Sequence, residues 1–300
     1  MMRYKGFPMA VSIEPLNICN LSCPECPTGL KLIKRNKGSI NPELYQKIID
    51  QISKRTFLVN LYFQGEPLMH IKLFSLIAYA KQKGLVVSTS TNAQYITPFI
   101  AEKIVESGLD EIFISLDGIT QDVYEKYRVG GDLNKVLDGI KNIVAAKQKF
   151  NSNLPIIRTQ MLAFSFNEHQ INSFKKESYK LGADIADVKT AQIFDVEYKK
   201  DLLPHSEDLT RYRTDNLNSI GLKGKIKNSC WKHWSSFVIT WDGDVVPCCF
   251  DKDAHFKMGN VQNESLNHIW NNTQYNEFRK TILLQQNSFE MCNNCPLSRG

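Results

Sequence analysis

Three cysteines lie close together near the start of the sequence, in the stretch NICNLSCPECPT at residues 17–28. Cys19, Cys23 and Cys26 have the spacing C-x3-C-x2-C. Three thiolates complete neither a set of disulfide pairs nor the four-coordinate site of a structural zinc. The loop therefore predicts a metal group that lacks one ligand. Zinc and iron–sulfur both stay open on spacing alone, because thiolates suit either.

Five further cysteines follow in the last third of the chain, and residues 27–229 contain none. Four of them have the spacing C-x17-C-x43-C-x2-C, the full set of thiolates for an iron–sulfur cluster or a structural zinc. The fifth is left over, and it is either Cys248 or Cys249, since neighbouring side chains on a strand point to opposite faces. The cysteine-free gap predicts two separate metal sites in two domains.

The composition limits the class of protein. The chain has 300 residues, of which 42% are hydrophobic and 23% charged, with a net charge of +6. The basic run at 31–38 has no interleaved aromatic residues on which bases could stack, so nucleic acid is not an expected partner. No apolar run reaches the roughly 20 residues that span a bilayer, and the first residues lack the apolar core of a signal peptide. We therefore expect a cytoplasmic chain, in which eight cysteines indicate metal or redox chemistry rather than disulfides.

Alternating strands and helices must position the first cysteine loop. Apolar, β-rich stretches predict strands at 10–16, 57–63, 85–91, 111–117, 155–162 and 185–191. Helices are predicted at 41–55, 71–84, 97–107, 120–128, 132–150 and 168–181. Six βα units indicate an α/β fold with a parallel sheet, and they are too few for a closed eight-stranded barrel, so we expect a partial (β/α)6 barrel. The cysteine loop follows the first strand, at the carboxyl ends where βα loops gather.

The C-terminal cysteines lie on different elements. Residues 235–249, SSFVITWDGDVVPCC, predict a β-hairpin around Asp242 and Gly243. A helix is predicted from about Glu264 to 282, and the pair in CNNC at 292–295 follows it. A small domain of hairpin and helix is thus expected to gather these cysteines.

The first loop carries a family resemblance. A C-x3-C-x2-C loop after the first strand of a βα barrel resembles the radical S-adenosylmethionine (radical SAM) superfamily. The resemblance implies that the three thiolates hold a [4Fe–4S] cluster and that the amine and carboxylate of S-adenosylmethionine bind the fourth iron. The ligand missing from the loop is then the cofactor itself.

Residues at the ends of later strands extend the resemblance. QGEP at 64–67 is similar to the family's Gly-Gly-Glu-Pro turn, with Gln64 in place of the first glycine, and Glu66 is implied to bind the cofactor's ammonium group. The polar residues after strands three and four are implied to meet the ribose and carboxylate, and Arg128 the cofactor carboxylate or the substrate. The implied cofactor-binding residues are Gln64, Gly65, Glu66, Asn92, Ser115, Asp117 and Arg128.

One position departs from the family's pattern. Many members have an aromatic residue just before the third cysteine, where it leans on the adenine of the cofactor. This chain has Glu25 there, so the resemblance does not carry adenine packing over to this loop.

The C-terminal third is similar to the auxiliary-cluster region of the SPASM/twitch branch of the same superfamily. Five cysteines are too few for the seven ligands of the two-cluster version, so one auxiliary [4Fe–4S] cluster is implied. The implied ligands are Cys230, Cys248, Cys292 and Cys295, which leaves Cys249 as the free thiol. The resulting division is an extension at 1–9, a radical SAM core at 10–190 and a twitch domain at 191–300.

The resemblance also implies a reaction. A flavodoxin or ferredoxin supplies an electron, S-adenosylmethionine is cleaved, and a 5′-deoxyadenosyl radical abstracts a hydrogen atom from the substrate. We expect a small polar substrate of the amino sugar or cyclitol type, oxidised with help from the auxiliary cluster. An epimerase with Cys249 as catalytic hydrogen-atom donor is one alternative, and a maturase of a ribosomally made peptide is another. The core begins about ten residues into the chain, with no N-terminal peptide-recognition domain, which favours the small substrate. A non-catalytic cluster protein is disfavoured, because the implied cofactor positions are all filled.

Overall fold

The structure is a computed structural model that describes residues 6–214, 219–297 and 299. Residues 1–5 of the expected N-terminal extension lie outside this description. The chain divides into two compact units: a first unit of residues 1–18, 33–88 and 224–300, and a second unit of residues 19–32 and 89–223. The domain boundary expected at 190 stays a prediction.

Strands and helices alternate along the first two-thirds of the chain. The strands are β1 (Ala10–Ile13), β2 (Leu58–Asn60), β3 (Val86–Thr91), β4 (Glu111–Ser115), β5 (Ile156–Ala163), β6 (Ile185–Thr190), β7 (Tyr212–Thr214), β8 (Ile220–Leu222), β9 (Ser236–Ile239), β10 (Asp244–Val246) and β11 (Gly259–Asn260). The helices are α1 (Pro42–Ile52), α2 (Leu73–Gln82), α3 (Pro98–Glu106), α4 (Gln121–Tyr127), α5 (Leu133–Lys149), α6 (Ile171–Lys180), α7 (Lys232–Ser235), α8 (Leu266–Asn271), α9 (Thr273–Gln285) and α10 (Glu290–Asn293). The predicted α/β order is confirmed.

The first unit contains strands in the order β11, β10, β9, β1, β2 and the start of β3. β1 pairs in parallel with both β2 and β9, whereas β10 pairs antiparallel with β9 and β11. Helix α1 packs through one apolar face. The side chains of this face recur at helical spacing and are all buried: Tyr45, Ile48, Ile49 and Ile52. Asn41 caps this helix by accepting from the backbone N–H of Glu43, and asparagine is a preferred residue at this position.

The second unit contains the end of β3 followed by β4, β5 and β6 in spatial order. β4 pairs in parallel with β5, and β5 with β6. Burial alternates strictly along β5, so one face is fully covered and the other, with Arg158 and Gln160, is half-buried. The carboxyl ends of these strands lead into the loops that carry the candidate site.

The predicted C-terminal hairpin is confirmed, because β9 and β10 pair antiparallel around Asp242 and Gly243. The single helix predicted from Glu264 to 282 is wrong: two helices, α8 and α9, meet at Asn272. Asn272 has an extended backbone, and its side chain accepts from the N–H of Tyr275, so it ends one helix and caps the next. Across the described part of the chain, every helix is too short or too polar to cross a bilayer.

Candidate active site

The first cysteine loop folds through backbone hydrogen bonds between its own residues. The N–H of Cys26 donates to the carbonyl of Cys23 at 3.2 Å, and the N–H of Leu30 donates to the carbonyl of Cys26 at 2.8 Å. Gly29 lies directly against the backbone of Cys23, where a β-carbon would come within 2.5 Å of the carbonyl oxygen. All three loop cysteines pack against one apolar group that includes Phe164. The loop therefore brings the three thiols to the same part of the second unit.

Two polar side chains donate to sulfurs of this loop. Asn92, which directly follows β3, places its amide nitrogen 3.8 Å from Sγ of Cys19 and 2.8 Å from Oδ1 of Asn20. Arg128, which directly follows α4, places Nη1 at 3.7 Å from Sγ of Cys23. Burial raises the pKa of the Cys23 thiol to about 11, while the charge of Arg128 acts in the opposite direction. Arg128 thus supplies the positive charge that favours a thiolate here.

Asp117 holds Arg128 in place. Its Oδ2 accepts from Nε of Arg128 at 2.5 Å, and its Oδ1 accepts from the N–H of Leu162 at 2.6 Å. Although burial lowers the pKa of Arg128, the Asp117 carboxylate raises it well above its ordinary value. Ser115, implied by the resemblance as a ribose contact, ends β4 opposite Gln160 and is half-buried. The ribose role of Asp117 and Ser115 stays a prediction.

Glu25 occupies the position where the family resemblance implies an aromatic residue. Its side chain is only 1% exposed and forms an ion pair with Nζ of Lys199 at 2.5 Å. Its second oxygen accepts from the backbone N–H of Phe194 at 2.7 Å. Glu25 therefore ties the cysteine loop to the segment that follows β6. Nothing in the sequence pattern indicates Lys199, because it lies 174 residues from Glu25 in an irregular stretch.

The Gln64–Glu66 turn lies in the first unit, and its shape requires glycine. Gly65 has φ of +77°, and a β-carbon there would come within 2.6 Å of the carbonyl oxygen of Leu16 and 2.7 Å of that of Ile18. The N–H of Glu66 donates to the same Ile18 carbonyl at 2.8 Å. The turn is thus fixed against the residue that immediately precedes Cys19.

Glu66 is buried, at 2% exposure, and is positioned by its role as a helix cap. Its Oε1 accepts from the N–H of Leu68 at 3.1 Å, at the start of a short 3₁₀ turn. Gln64, also buried, donates to the carbonyl of Phe63 at 3.0 Å. A buried carboxylate held in this way suits an ammonium group, as the resemblance implies.

The four C-terminal thiols of the implied auxiliary site are all buried in the first unit. Burial raises the pKa of Cys292 to about 12, and the neighbouring thiols of Cys295 and Cys230 raise it further. Burial likewise raises the pKa of Cys295, with a contribution from Cys230. Cys230, Cys292 and Cys295 therefore lie close enough for their charges to interact.

Cys248 and Cys249 follow β10 after one residue, Pro247, and differ in their surroundings. The Cys248 thiol donates to Cys249, which raises the pKa of Cys248 and lowers that of Cys249. Cys248 is buried, and Cys249 is half-buried against an apolar group that also includes Phe63. Because both thiols also interact with Cys295, the choice of Cys248 as ligand stays a prediction.

Both cysteine groups fit an iron–sulfur cluster. Among the described residues, no three acidic, thiol or imidazole side chains are placed so that they could hold one metal ion between them. A zinc site would need every sulfur at about 2.3 Å from one ion, whereas each thiolate of a cubane binds a different iron. Three thiols in the loop and a separate set of buried thiols provide the soft donors that such clusters need.

A buried ion pair that sequence patterns did not indicate lies in the first unit. Arg35 donates to both carboxylate oxygens of Glu14 through its terminal nitrogens Nη1 and Nη2, each at 2.8 Å, and both side chains are almost fully buried. The backbone N–H groups of Lys34 and Arg35 donate to Asp253, at 2.7 and 3.1 Å. This network connects the end of β1 with the loop that follows Cys249, although the partners lie more than 200 residues apart.

Comparisons with family models find two matches. The model of the radical SAM superfamily matches residues 13–162, and the model of an iron–sulfur cluster-binding domain, called SPASM, matches residues 230–296. The first match includes the cysteine loop and the Gln64–Glu66 turn, and the second begins at Cys230 and ends just after Cys295.

Individual relatives are similar along nearly the whole chain. The tungsten-containing aldehyde ferredoxin oxidoreductase cofactor-modifying protein of Pyrococcus furiosus is 24% identical, over 95% of this chain and 86% of that protein. The mycofactocin maturase MftC of Mycobacterium tuberculosis is 25% identical, over 96% of this chain and 75% of that protein. The crystal structure of BtrN with AdoMet and 2-DOIA is similar in fold, with a TM-score of 0.59 and 18% identity over 96% of this chain and 93% of that chain.

Proposed function

Because the chain belongs to the radical SAM superfamily and contains a SPASM cluster-binding domain, we propose that it is an oxidoreductase acting on a small polar substrate. The two domains imply two [4Fe–4S] clusters and S-adenosylmethionine as cofactors. The observation that carries the proposal is the loop of Cys19, Cys23 and Cys26, which gathers three thiols. Two of their sulfurs accept hydrogen bonds, from Asn92 and Arg128. We further propose that this substrate is an amino sugar or a cyclitol.

The chain's own residues would hold the cofactors as follows. Cys19, Cys23 and Cys26 would bind the first cluster, and Glu66 would bind the ammonium group of S-adenosylmethionine. When bound, these groups supply a 5′-deoxyadenosyl radical that takes a hydrogen atom from the substrate. Cys230, Cys248, Cys292 and Cys295 would bind the second cluster. Electrons would come from a flavodoxin or ferredoxin.

Two comparisons support different substrate classes. BtrN, whose structure contains 2-DOIA, aligns over nearly the full length of both chains and supports the small polar substrate. MftC, a maturase, supports modification of a ribosomally made peptide as the second candidate. The half-buried face of β5, with Gln160, offers an amide group for a hydroxylated molecule. We therefore keep the small substrate first.

The cluster assignment is tested by replacing Cys19, Cys23 and Cys26 together with alanine. The wild-type chain is expected to bind about eight irons after anaerobic reconstitution, and the triple variant about four. The variant should also form no 5′-deoxyadenosine under reducing conditions, because the cofactor would lack its cluster. Measured iron, sulfide and 5′-deoxyadenosine give the answer. Cofactor cleavage by the triple variant would reject the assignment.

Replacement of Cys249 tests which fate the substrate radical meets. Its thiol is half-buried against an apolar cluster of Val238, Val246 and Ala254, against which Phe63 also packs. Phe63 directly precedes the Gln64–Glu66 turn, so epimerisation with Cys249 as hydrogen-atom donor is the alternative outcome. If the auxiliary cluster is the electron acceptor, Cys249→Ala should keep both clusters and still form the dehydrogenated product. Product analysis in deuterated water distinguishes the two outcomes. Complete cofactor cleavage with product formation lost would instead identify Cys249 as the hydrogen-atom donor.

A further inference from the structure

Arg128 lies between a carboxylate and a cysteine of the first loop. Its Nε donates to Oδ2 of Asp117 at 2.5 Å, and its Nη1 approaches Sγ of Cys23 at 3.7 Å. These are different nitrogens of one planar group, so the guanidinium connects Asp117 to the sulfur. All three residues belong to the second unit.

The direction of the guanidinium is fixed by the surrounding protein. Asp117 is 1% exposed, and its other carboxylate oxygen accepts from the N–H of Leu162 at 2.6 Å. Asn167 donates to the backbone carbonyl of Asp117 at 2.9 Å, which holds that residue from a second side. Arg128 is 16% exposed, and its carbon atom Cζ lies 5.0 Å from the ring centre of Tyr127. Because Asp117 is held by these hydrogen bonds and an aromatic ring lies beside Arg128, the protein itself orients the guanidinium, without a cofactor.

We propose that Arg128, positioned by Asp117, is a hydrogen-bond donor to the Cys23 ligand sulfur that raises the reduction potential of the first cluster. The inference rests on the proposed function, because it requires that Cys23 binds that cluster. A reduced cluster carries one more negative charge than an oxidised one. A cation and a hydrogen bond at a ligand sulfur therefore stabilise the reduced state more than the oxidised state. Burial strengthens this effect, since little water screens the charge.

Asp117 then has the opposite electrostatic effect. Its negative charge partly cancels that of Arg128, while its hydrogen bond keeps the guanidinium on the sulfur. The two residues act together as a positioning pair whose net contribution to the potential is set by both charges. This role differs from a contact of Arg128 with the cofactor carboxylate, which would affect cofactor affinity and not the potential of the cluster alone.

The test compares four variants of the full-length reconstituted chain in the absence of S-adenosylmethionine. Arg128→Met removes the charge, Arg128→Lys keeps it without the planar fork, and Asp117→Asn removes the counter-charge. Arg158→Met is the matched control, because Arg158 is another half-buried arginine of the same unit, bound to Glu111 and Asp187 at 2.7 and 2.9 Å. The readout is a redox titration followed by electron paramagnetic resonance. The first cluster is identified as the signal that changes when S-adenosylmethionine is added and that the triple cysteine variant lacks.

Arg128→Met should lower the ratio of reduced to oxidised cluster at a fixed potential about tenfold, a shift of ~59 mV to more negative values. Arg128→Lys should also shift the reduction potential to more negative values, but by less. Asp117→Asn should shift the potential in the positive direction, and Arg158→Met should leave it unchanged. Opposite shifts for Arg128→Met and Asp117→Asn support an electrostatic role, whereas a purely structural role would lower cluster content without separating the two potentials.

Unchanged potentials in all variants, combined with weaker cofactor binding by Arg128→Met, would overturn the inference and assign Arg128 to the cofactor carboxylate. Failure of the proposed function gives a different result: the signal that responds to S-adenosylmethionine would be missing from the wild type or present in the triple cysteine variant. If Arg128→Met does not fold, the redox titrations of Arg128→Lys and Asp117→Asn still test the inference. Shifts of the reduction potential with the same sign in those two variants would reject it.

Discussion

Glu66 combines two tasks in one side chain. It caps the 3₁₀ turn through the N–H of Leu68, and its burial keeps the carboxylate away from bulk water. We expect Glu66→Gln to keep the cap oxygen and lose the charge. If the ammonium group of S-adenosylmethionine binds there, the charge-assisted contact contributes about 1.5–3 kcal/mol, so affinity should fall roughly 10- to 150-fold. Calorimetric titration of the reconstituted variant measures this.

The matched comparison is Glu66→Ala, which removes the cap as well. A loss of affinity in Glu66→Ala alone, with Glu66→Gln like the wild type, would mean that the turn needs the cap and not the charge. In that case the ammonium group binds elsewhere.

At the scale of single residues, the sequence spacing identified the loop cysteines but not the side chains that lie beside them in the fold. The pattern C-x3-C-x2-C follows from the local chemistry of a cluster, so Cys19, Cys23 and Cys26 could be read directly. The pairing of Asp117 with Arg128 could not, because one follows a strand and the other a helix, and only the fold brings them together. Family resemblance assigned both to the cofactor, which stays a prediction, and the structure shows that they also contact each other.

At the scale of the elements, a contact from the cysteine loop stabilises the segment that follows β6. Lys199→Met would remove the ion pair of the Glu25 carboxylate, which is 1% exposed, and would keep its hydrogen bond from the N–H of Phe194. Leaving a buried charged group without its partner costs about 1–3 kcal/mol, and the 34% exposure of Lys199 places the expected loss of unfolding free energy near the lower end. Glu25→Gln should cost less, because the amide oxygen still accepts from Phe194. Urea unfolding of the two variants under anaerobic conditions measures the difference.

Lys200→Met is the control for that comparison. Lys200 lies beside Lys199, but its pair with Glu197 is exposed and 3.8 Å long, so the loss should stay within about 0.5 kcal/mol. Equal effects of Lys199→Met and Lys200→Met would show that the Glu25 contact does not hold the segment.

Elements with a strong period were predictable, and irregular ones were not. The amphipathic pattern and cap of α1 and the Asp242–Gly243 hairpin follow from local rules, and both are found. The break at Asn272 was missed although asparagine is a preferred N-cap residue, because asparagine also occurs within helices and begins a new one only where its backbone is extended. The hold of Glu25 on residues after β6 is a tertiary contact that no local rule encodes.

At the level of the whole molecule, each compact unit contains its own set of thiols. The first unit contains Cys230, Cys248, Cys292 and Cys295, whereas the cysteine loop at 19–32 belongs to the second unit. The units alternate along the chain, since residues from both ends contribute to the first. Sequence reasoning recognised two metal sites from the cysteine-free gap, but it could not derive this interleaving, because which segments pack together depends on strand pairing such as that of β1 with β9.

This separation leads to a prediction about the independence of the two sites. Cys292→Ala combined with Cys295→Ala removes two buried thiols of the first unit and leaves the cysteine loop intact. Bound iron should fall from about eight to about four, while 5′-deoxyadenosine formation with a chemical reductant continues, because cofactor cleavage needs only the first cluster. Product formation from the substrate should stop if the auxiliary cluster accepts the electron of the substrate radical. The measurements are iron content, 5′-deoxyadenosine and product, with Cys249→Ala as the control that keeps all four proposed ligands.

Loss of cofactor cleavage would show that the sites depend on each other. Full product formation would show that the second cluster is not the electron acceptor, and dehydrogenation would then need another sink for the electron.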